Sequence, residues 1–277
     1  MRLHRTLFYL LLFVFVASIL MVVFIDSSCV MSGIATGLIT GSFVALVSTV
    51  VNYVYAWQQF MNKYFENAMQ LYHELENDLI QSEVKIEYFN KNDKQFLIDN
   101  APQHTVEELE KEFQKDRRYE KYRVMFDYAP YASLFFRKCT LTVLDKIDRY
   151  VFGLGMIPSF GRTSTLLVGL QEGHFSSKEE EEIAIGDRDS FFEYIVQSAT
   201  DWRDYTAYCM RQLVSLLSEL QKSLRPLDVS EDYRELPKIL SKMAESHLKG
   251  LPDRNPVKEQ VEDFEKEMAS RLANKEQ

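Results

Sequence analysis

Leu7 to Ile25 reads LFYLLLFVFVASILMVVFI, and beyond Asp26-Ser27-Ser28-Cys29 the chain resumes at Val30 to Ala56 as VMSGIATGLITGSFVALVSTVVNYVYA. Neither run carries a charge. As a helix the first would span about 28 Å, close to the ~30 Å hydrocarbon core of a bilayer, while the second is longer and must tilt or protrude. Together they read as a transmembrane hairpin over residues 1–56, with spans at 7–25 and 30–56. A cleaved signal peptide fits less well, because the first run exceeds a usual h-region, no small-x-small site follows it, and a second span comes directly after. Nor does Cys29 suit lipid attachment, since Asp26 stands three residues before it, where such motifs want an aliphatic side chain.

Flanking charges set the expected topology. Arg2 and Arg5 precede the first span, Asp26 alone lies in the turn, and Lys63 opens the charged region after the second. Positive residues stay inside, so both termini are expected in the cytoplasm of a multi-pass cell-membrane protein. Phe8 and Tyr9 at one end and Tyr53, Tyr55 and Trp57 at the other form the expected interfacial belt on that face.

The formal charge of −9 resides in the polar part, because setting aside Arg2, Arg5 and Asp26 leaves 30 basic and 40 acidic residues. So acidic a domain is a poor binder of nucleic acid, and none is expected as a partner. Cys29, Cys139 and Cys209 supply neither a disulfide framework nor a metal spacing.

Between Gly41 and Pro102 the chain has no glycine or proline, and Met61, Tyr64, Ala68, Leu71, Leu75, Leu79, Ser82, Ile86 and Phe89 recur at helical spacing. The second membrane helix is therefore expected to continue unbroken as a stalk to about Asn90. Thr105-Val106-Glu107-Glu108 is a capping box opening a helix to near Tyr128, and another helix follows from about Tyr131 to Phe152. Residues 57–152 thus hold the stalk and the first part of a cytoplasmic helical bundle. Residues 153–186 contain six of the chain's ten glycines and read as a loop or hinge, with a short hairpin pairing Thr165 to Val168 with Glu182 to Ile185.

Residues 187–277 carry the strongest periodicity: Phe192, Ile195, Ala199, Trp202, Thr206, Cys209, Leu213, Leu216 and Leu220. Alternating steps of three and four over four heptads predict a long coiled-coil-like helix, with the stalk as its expected partner and packing within or between chains left open. Ser230 caps a helix to about Lys249, and Asn255-Pro256 opens a last one with Val257, Val261, Phe264, Met268 and Leu272 on one face. The fold class is all-α.

Gly33, Gly37 and Gly41 repeat every four residues, with Ala45 and Thr49 continuing the stripe and Ser48 and Asn52 on the same arc. Such a glycine zipper lets membrane helices approach closely. It serves packing inside the hairpin, a homo-oligomer contact, or assembly around a pore. Around Lys115 to Arg123, basic residues interleave with tyrosines, but a helical wheel sets Tyr119, Tyr122 and Phe126 on one face and Arg117, Arg118 and Lys121 on another, a core stripe beside a solvated one. Gly155 and Gly161 have the wrong spacing for a phosphate loop and Arg162 stands in place of its lysine. His73-Glu74 lacks the second histidine of a zinc-protease helix, His4, His104, His174 and His247 show no ligand spacing, and Glu179 to Glu182 reads as a solvated charge cluster.

No catalytic, cofactor-binding or metal residue is therefore assigned, and no cofactor is expected. The expected function is non-enzymatic. The hairpin sits in the lipid bilayer, and the bundle associates with an unidentified cytoplasmic protein, as scaffold, adaptor or sensor, through the seam of Phe192, Ile195, Ala199, Trp202, Cys209, Leu213, Leu216 and Leu220. The alternative is an oligomeric pore-forming or membrane-disrupting effector that assembles as a homo-oligomer through Gly33, Gly37 and Gly41.

Overall fold

The computed structural model describes residues 2–24, 29–101, 105–115, 119–128, 138–155, 162–173, 175, 178–259, 261–262 and 266. Every regular element among them is a helix. Helix α1 (Arg2–Phe24) packs back along the first part of α2 (Cys29–Lys91), and both are long and apolar enough to cross a membrane. The contact face of α2 is small and repeats every seven residues at Ala35, Ser42 and Thr49, all buried, and Ser18 is buried on α1. Their hydroxyls are satisfied within their own helices. Ser18 donates to Val14 O at 2.7 Å and Thr49 to Ala45 O at 2.7 Å, so no polar group is left bare on an apolar face.

Helix α2 runs 63 residues, about 94 Å, without the glycine or proline that would break it after Gly41. It ends one residue beyond the expected Asn90. Asp93 caps the next helix, α3 (Lys94–Asp99), by accepting Gln95 N–H at 2.8 Å. The stripe Met61, Tyr64, Ala68, Leu71, Leu75, Leu79 and Ser82 is buried, as its spacing predicts. Against it lies α9 (Arg188–Ser223), running the opposite way. Lys94 pairs with Asp189 at the far end, and Ser230, past the other end of α9, donates to Asn62 Oδ1 at 3.1 Å.

Around this pair, α5 (Glu120–Met125), α6 (Lys138–Gly155) and α11 (Leu236–His247) complete the larger core. Helix α6 is antiparallel to α9, since Thr140 donates to Ser223 O at 3.0 Å and Tyr150 to Cys209 O at 2.9 Å. Arg211 reaches from α9 to the carbonyls of Leu251 and Pro252 at 2.8 and 2.7 Å and holds the turn after α11. A second core gathers Phe89, Ile98, Leu109, Leu167, Phe191 and Ile195 from α2, α3, α4 (Val106–Lys115), α7 (Arg162–Glu172) and α9. The capping box forms as read. Thr105 N–H donates to Glu108 at 3.1 Å, and Glu108 N–H to Thr105 Oγ1 at 3.2 Å.

Three expectations are corrected. Residues 153–186 are not chiefly a loop, and the Thr165–Val168 hairpin does not form: its two arms lie in α7 and in α8 (Lys178–Gly186). Three of the glycines sit at helix ends instead. Gly155 and Gly186 close α6 and α8, and Gly173 follows α7 at φ +69 with its N–H on Gly169 O at 2.8 Å. The helix expected from Ser230 to Lys249 is split into α10 (Glu231–Arg234) and α11, because Pro237 starts a new helix at its first turn. Of the aromatics expected at the interface, Trp57 is only 3% exposed and Tyr53 is buried, both covered by protein, while Tyr9 and Tyr55 stay open at 46% and 62%. The segment 131–137 and the Phe264, Met268 and Leu272 face lie outside the described residues.

Candidate functional site

On α2 the three glycines and the α1 contact lie on different sides, while Thr49, expected to continue the stripe, is buried in the α1 contact. Ala35 and Gly37 are two residues apart, about 200° around the helix. A methyl group at Gly33, Gly37 or Gly41 would meet nothing within 4 Å, so α1 does not occupy that groove. Ala45 is half-buried, and Ser48 and Asn52 are exposed beside the stripe. Around it the large side chains also point outward, among them Ile34, Leu38, Val44 and Val51 on α2 and Phe13 on α1, the last at 73%.

The heptad seam is placed differently. Phe192, Ile195 and Ala199 are buried in the smaller core, Cys209, Leu213 and Leu220 in the larger, and Trp202 and Leu216 are half-buried. All pack inside one chain. A second row, Met210, Val214 and Leu217, is buried as well, because α6 and α11 cover the side of α9 that α2 leaves open. The apolar arc is therefore wider than a two-position heptad stripe, a signal present in the sequence at the positions flanking the seam.

Charge patterning gave no hint of the buried carboxylates. Asp78 accepts the Tyr119 hydroxyl, and Asp228 accepts Arg225 Nη2 at 3.0 Å. Asp204, 1% exposed, takes Arg203 Nη2 at 2.6 Å and Arg254 Nη1 at 3.5 Å, while Arg254 also bridges Asp201 and Glu259. Each is matched by its own donor, as structural carboxylates are. The histidines are less scattered than they look in the sequence: Glu76 takes Nδ1 of both His73 and His247, at 3.0 and 2.7 Å, and ties α11 to α2. Among the described residues no three His, Cys, Asp or Glu side chains converge as metal ligands would. Tyr119, Tyr122 and Phe126 are buried together while Lys121 pairs outward with Glu74, as the wheel places them; Arg117 and Arg118 lie outside the described residues.

Burial dominates the titration of the interior. It pushes the Cys209 thiol up to about 12, with the Tyr205 hydroxyl opposing, and drives Tyr150 well above its ordinary value. Lys85 is brought down to about 8 by the same desolvation. The Tyr72 hydroxyl is fully buried without a hydrogen-bond partner. Tyr72→Phe removes that polar atom and is expected to stabilise the fold by about 1 kcal/mol in chemical denaturation; a loss of stability would mean the hydroxyl is satisfied.

A recess of about 10 Å³, room for no more than a water, lies between Leu75 and Leu154 on one side and Trp202, Thr206 and Cys209 on the other. It falls below the ~300–1,000 Å³ of ordinary small-molecule pockets and has almost no polar wall to orient a ligand. No family model, curated protein or solved structure matches the chain.

Proposed function

We propose that the chain is a non-enzymatic two-pass membrane protein with both termini in the cytoplasm, whose second membrane helix continues as a stalk into a bundle that associates with a protein partner. One observation carries the membrane reading. The apolar side chains of α1 and of the first half of α2 face outward, whereas the core helix of a soluble protein turns them in. So large an apolar surface is stable only against lipid or other apolar helices. Since the heptad seam is used within the chain, the partner surface lies elsewhere; Ile80, Val84 and Tyr88, one turn apart on α2 and exposed, offer one continuous apolar run on the bundle.

The chain's own cysteines test the topology. Cys139 is exposed, while Cys209 is buried and raised to about 12, hence unreactive near neutral pH. In intact cells a membrane-impermeant maleimide is expected to label Cys29, at the outer end of α2, and to reach Cys139 only after permeabilisation. Labelling of Cys139 without permeabilisation would invert the topology, and release of the protein by alkaline carbonate would remove the membrane reading.

The open glycine groove favours a second reading, self-assembly in the membrane through Gly33, Gly37 and Gly41, with a pore as its furthest consequence.

A further inference from the structure

The turn between α9 and α10 is built to hold two apolar residues outward. Asp228, itself buried, accepts the Arg225 backbone N–H at 2.7 Å and the Arg225 guanidinium at 3.0 Å, and returns its own N–H to Arg225 O at 3.0 Å. Val229 is anchored in the larger core. Between these fixed points stand Pro226, exposed, and Leu227, exposed to 70% although the apolar residues flanking the turn are covered.

The height of this turn along α2 is set on both sides. Ser230 N and Oγ both donate to Asn62 Oδ1 at 3.1 Å, and Tyr233 donates to Glu66. Toward the membrane segment, Arg225 lies within electrostatic reach of the Tyr53 hydroxyl. Leu227 therefore sits between the levels of Tyr53 and Asn62, about 14 Å of helix axis centred near Trp57. The uncharged apolar run of α2 ends at Ala56, and a headgroup layer roughly 5–8 Å thick beyond the core covers about the levels of Trp57 to Met61. On the two-pass reading, on which this step rests, the turn lies in that layer.

We infer that Pro226 and Leu227 form a second membrane contact, a fixed apolar tip seated in the headgroup layer of the leaflet from which the stalk emerges. Lys222, Arg225 and Arg234 around the tip are balanced by Asp228, Glu231 and Asp232, so the turn has no net charge. Its partner is the interface of a zwitterionic bilayer, entered by apolar burial and not by attraction to anionic lipid.

The test uses the full chain in phosphatidylcholine vesicles, with Cys29→Ser and Cys139→Ser as background and Cys209 left buried. Single cysteines at Leu227→Cys, Val44→Cys and Val84→Cys, all exposed positions, carry an environment-sensitive fluorophore against nitroxides placed on the headgroup or along the acyl chain. The label at 227 is expected to lose about half its emission to the headgroup nitroxide, that at 44 to the acyl-chain nitroxide, and that at 84, about 40 Å beyond Trp57, to neither. If 44 is quenched and 227 behaves like 84, the hairpin stands and the contact is overturned. If 44 is not quenched, the two-pass reading falls and the contact falls with it. Equal quenching of 227 without anionic lipid and with it supports apolar insertion; quenching only when anionic lipid is present overturns it.

Discussion

Replacing Gly37 with leucine is expected to convert the detergent-solubilised protein from a defined oligomer to a monomer, read as molar mass by light scattering with the detergent subtracted. The prediction is sharp because the monomer has no reason to object. Nothing lies within 4 Å of a Cβ added there, leucine is a better helix former than glycine, and α1 sits on the Ala35, Ser42 and Thr49 side of α2. Close approach of two membrane helices needs small residues along the contact, and a leucine in the middle of Gly33, Gly37 and Gly41 forces the backbones apart. Helix content should stay as it is, which separates lost assembly from lost folding. Any ion leak in reconstituted vesicles should vanish with the mass change. A wild-type protein that is monomeric, or a Gly37→Leu variant of unchanged mass, would sink self-assembly through this face and leave the groove to lipid.

Phe126→Ala should be the most damaging of the single core truncations, at about 3–5 kcal/mol. Phe126 has no exposed surface, and its ring stands edge-on to Tyr64 with centroids 4.7 Å apart and 6.2 Å from Tyr122. Those contacts join the short helix α5, which has only six residues of its own, to α2. So short a helix has little stability by itself and depends on this packing. Denaturant midpoints followed through Trp57 and Trp202 would measure the loss. Val124→Ala, two residues away at 80% exposure, should shift the midpoint by no more than about 0.5 kcal/mol. Equal effects at the two positions would mean that α5 is not docked where the structure has it.

The helical class, the uninterrupted α2 and the core stripes of α2 and α9 are legible in the sequence because each rests on a repeated spacing over many residues. The capping box is legible because two side chains three residues apart satisfy each other locally. What fails is reading by composition. The glycines of 153–186 resemble a loop when counted, yet Gly155, Gly173 and Gly186 mark three helix ends, a distinction that only their positions relative to the apolar runs could show. A tryptophan after an apolar run usually meets the lipid interface, but here Phe60 and the packed helices enclose Trp57. The pairing of Asp204 with Arg254, of Asp78 with Tyr119, and of two histidines on Glu76 joins residues far apart in the chain, and no local pattern carries such long-range matches.

Because α2 passes from its apolar half to the far core without a glycine or proline to flex at, it is a lever. From Trp57 to Asn90 is about 50 Å of rigid rod, so a tilt of ~5° at Trp57 swings the far end through about 4 Å. That is comparable with the width of a side chain, and the parts carried on that end are the smaller core of α3, α4 and α7 and the ion pair of Lys94 with Asp189. Whatever reorients the apolar half of α2 is thus amplified mechanically, and the moving end is the one farthest from where the force is applied.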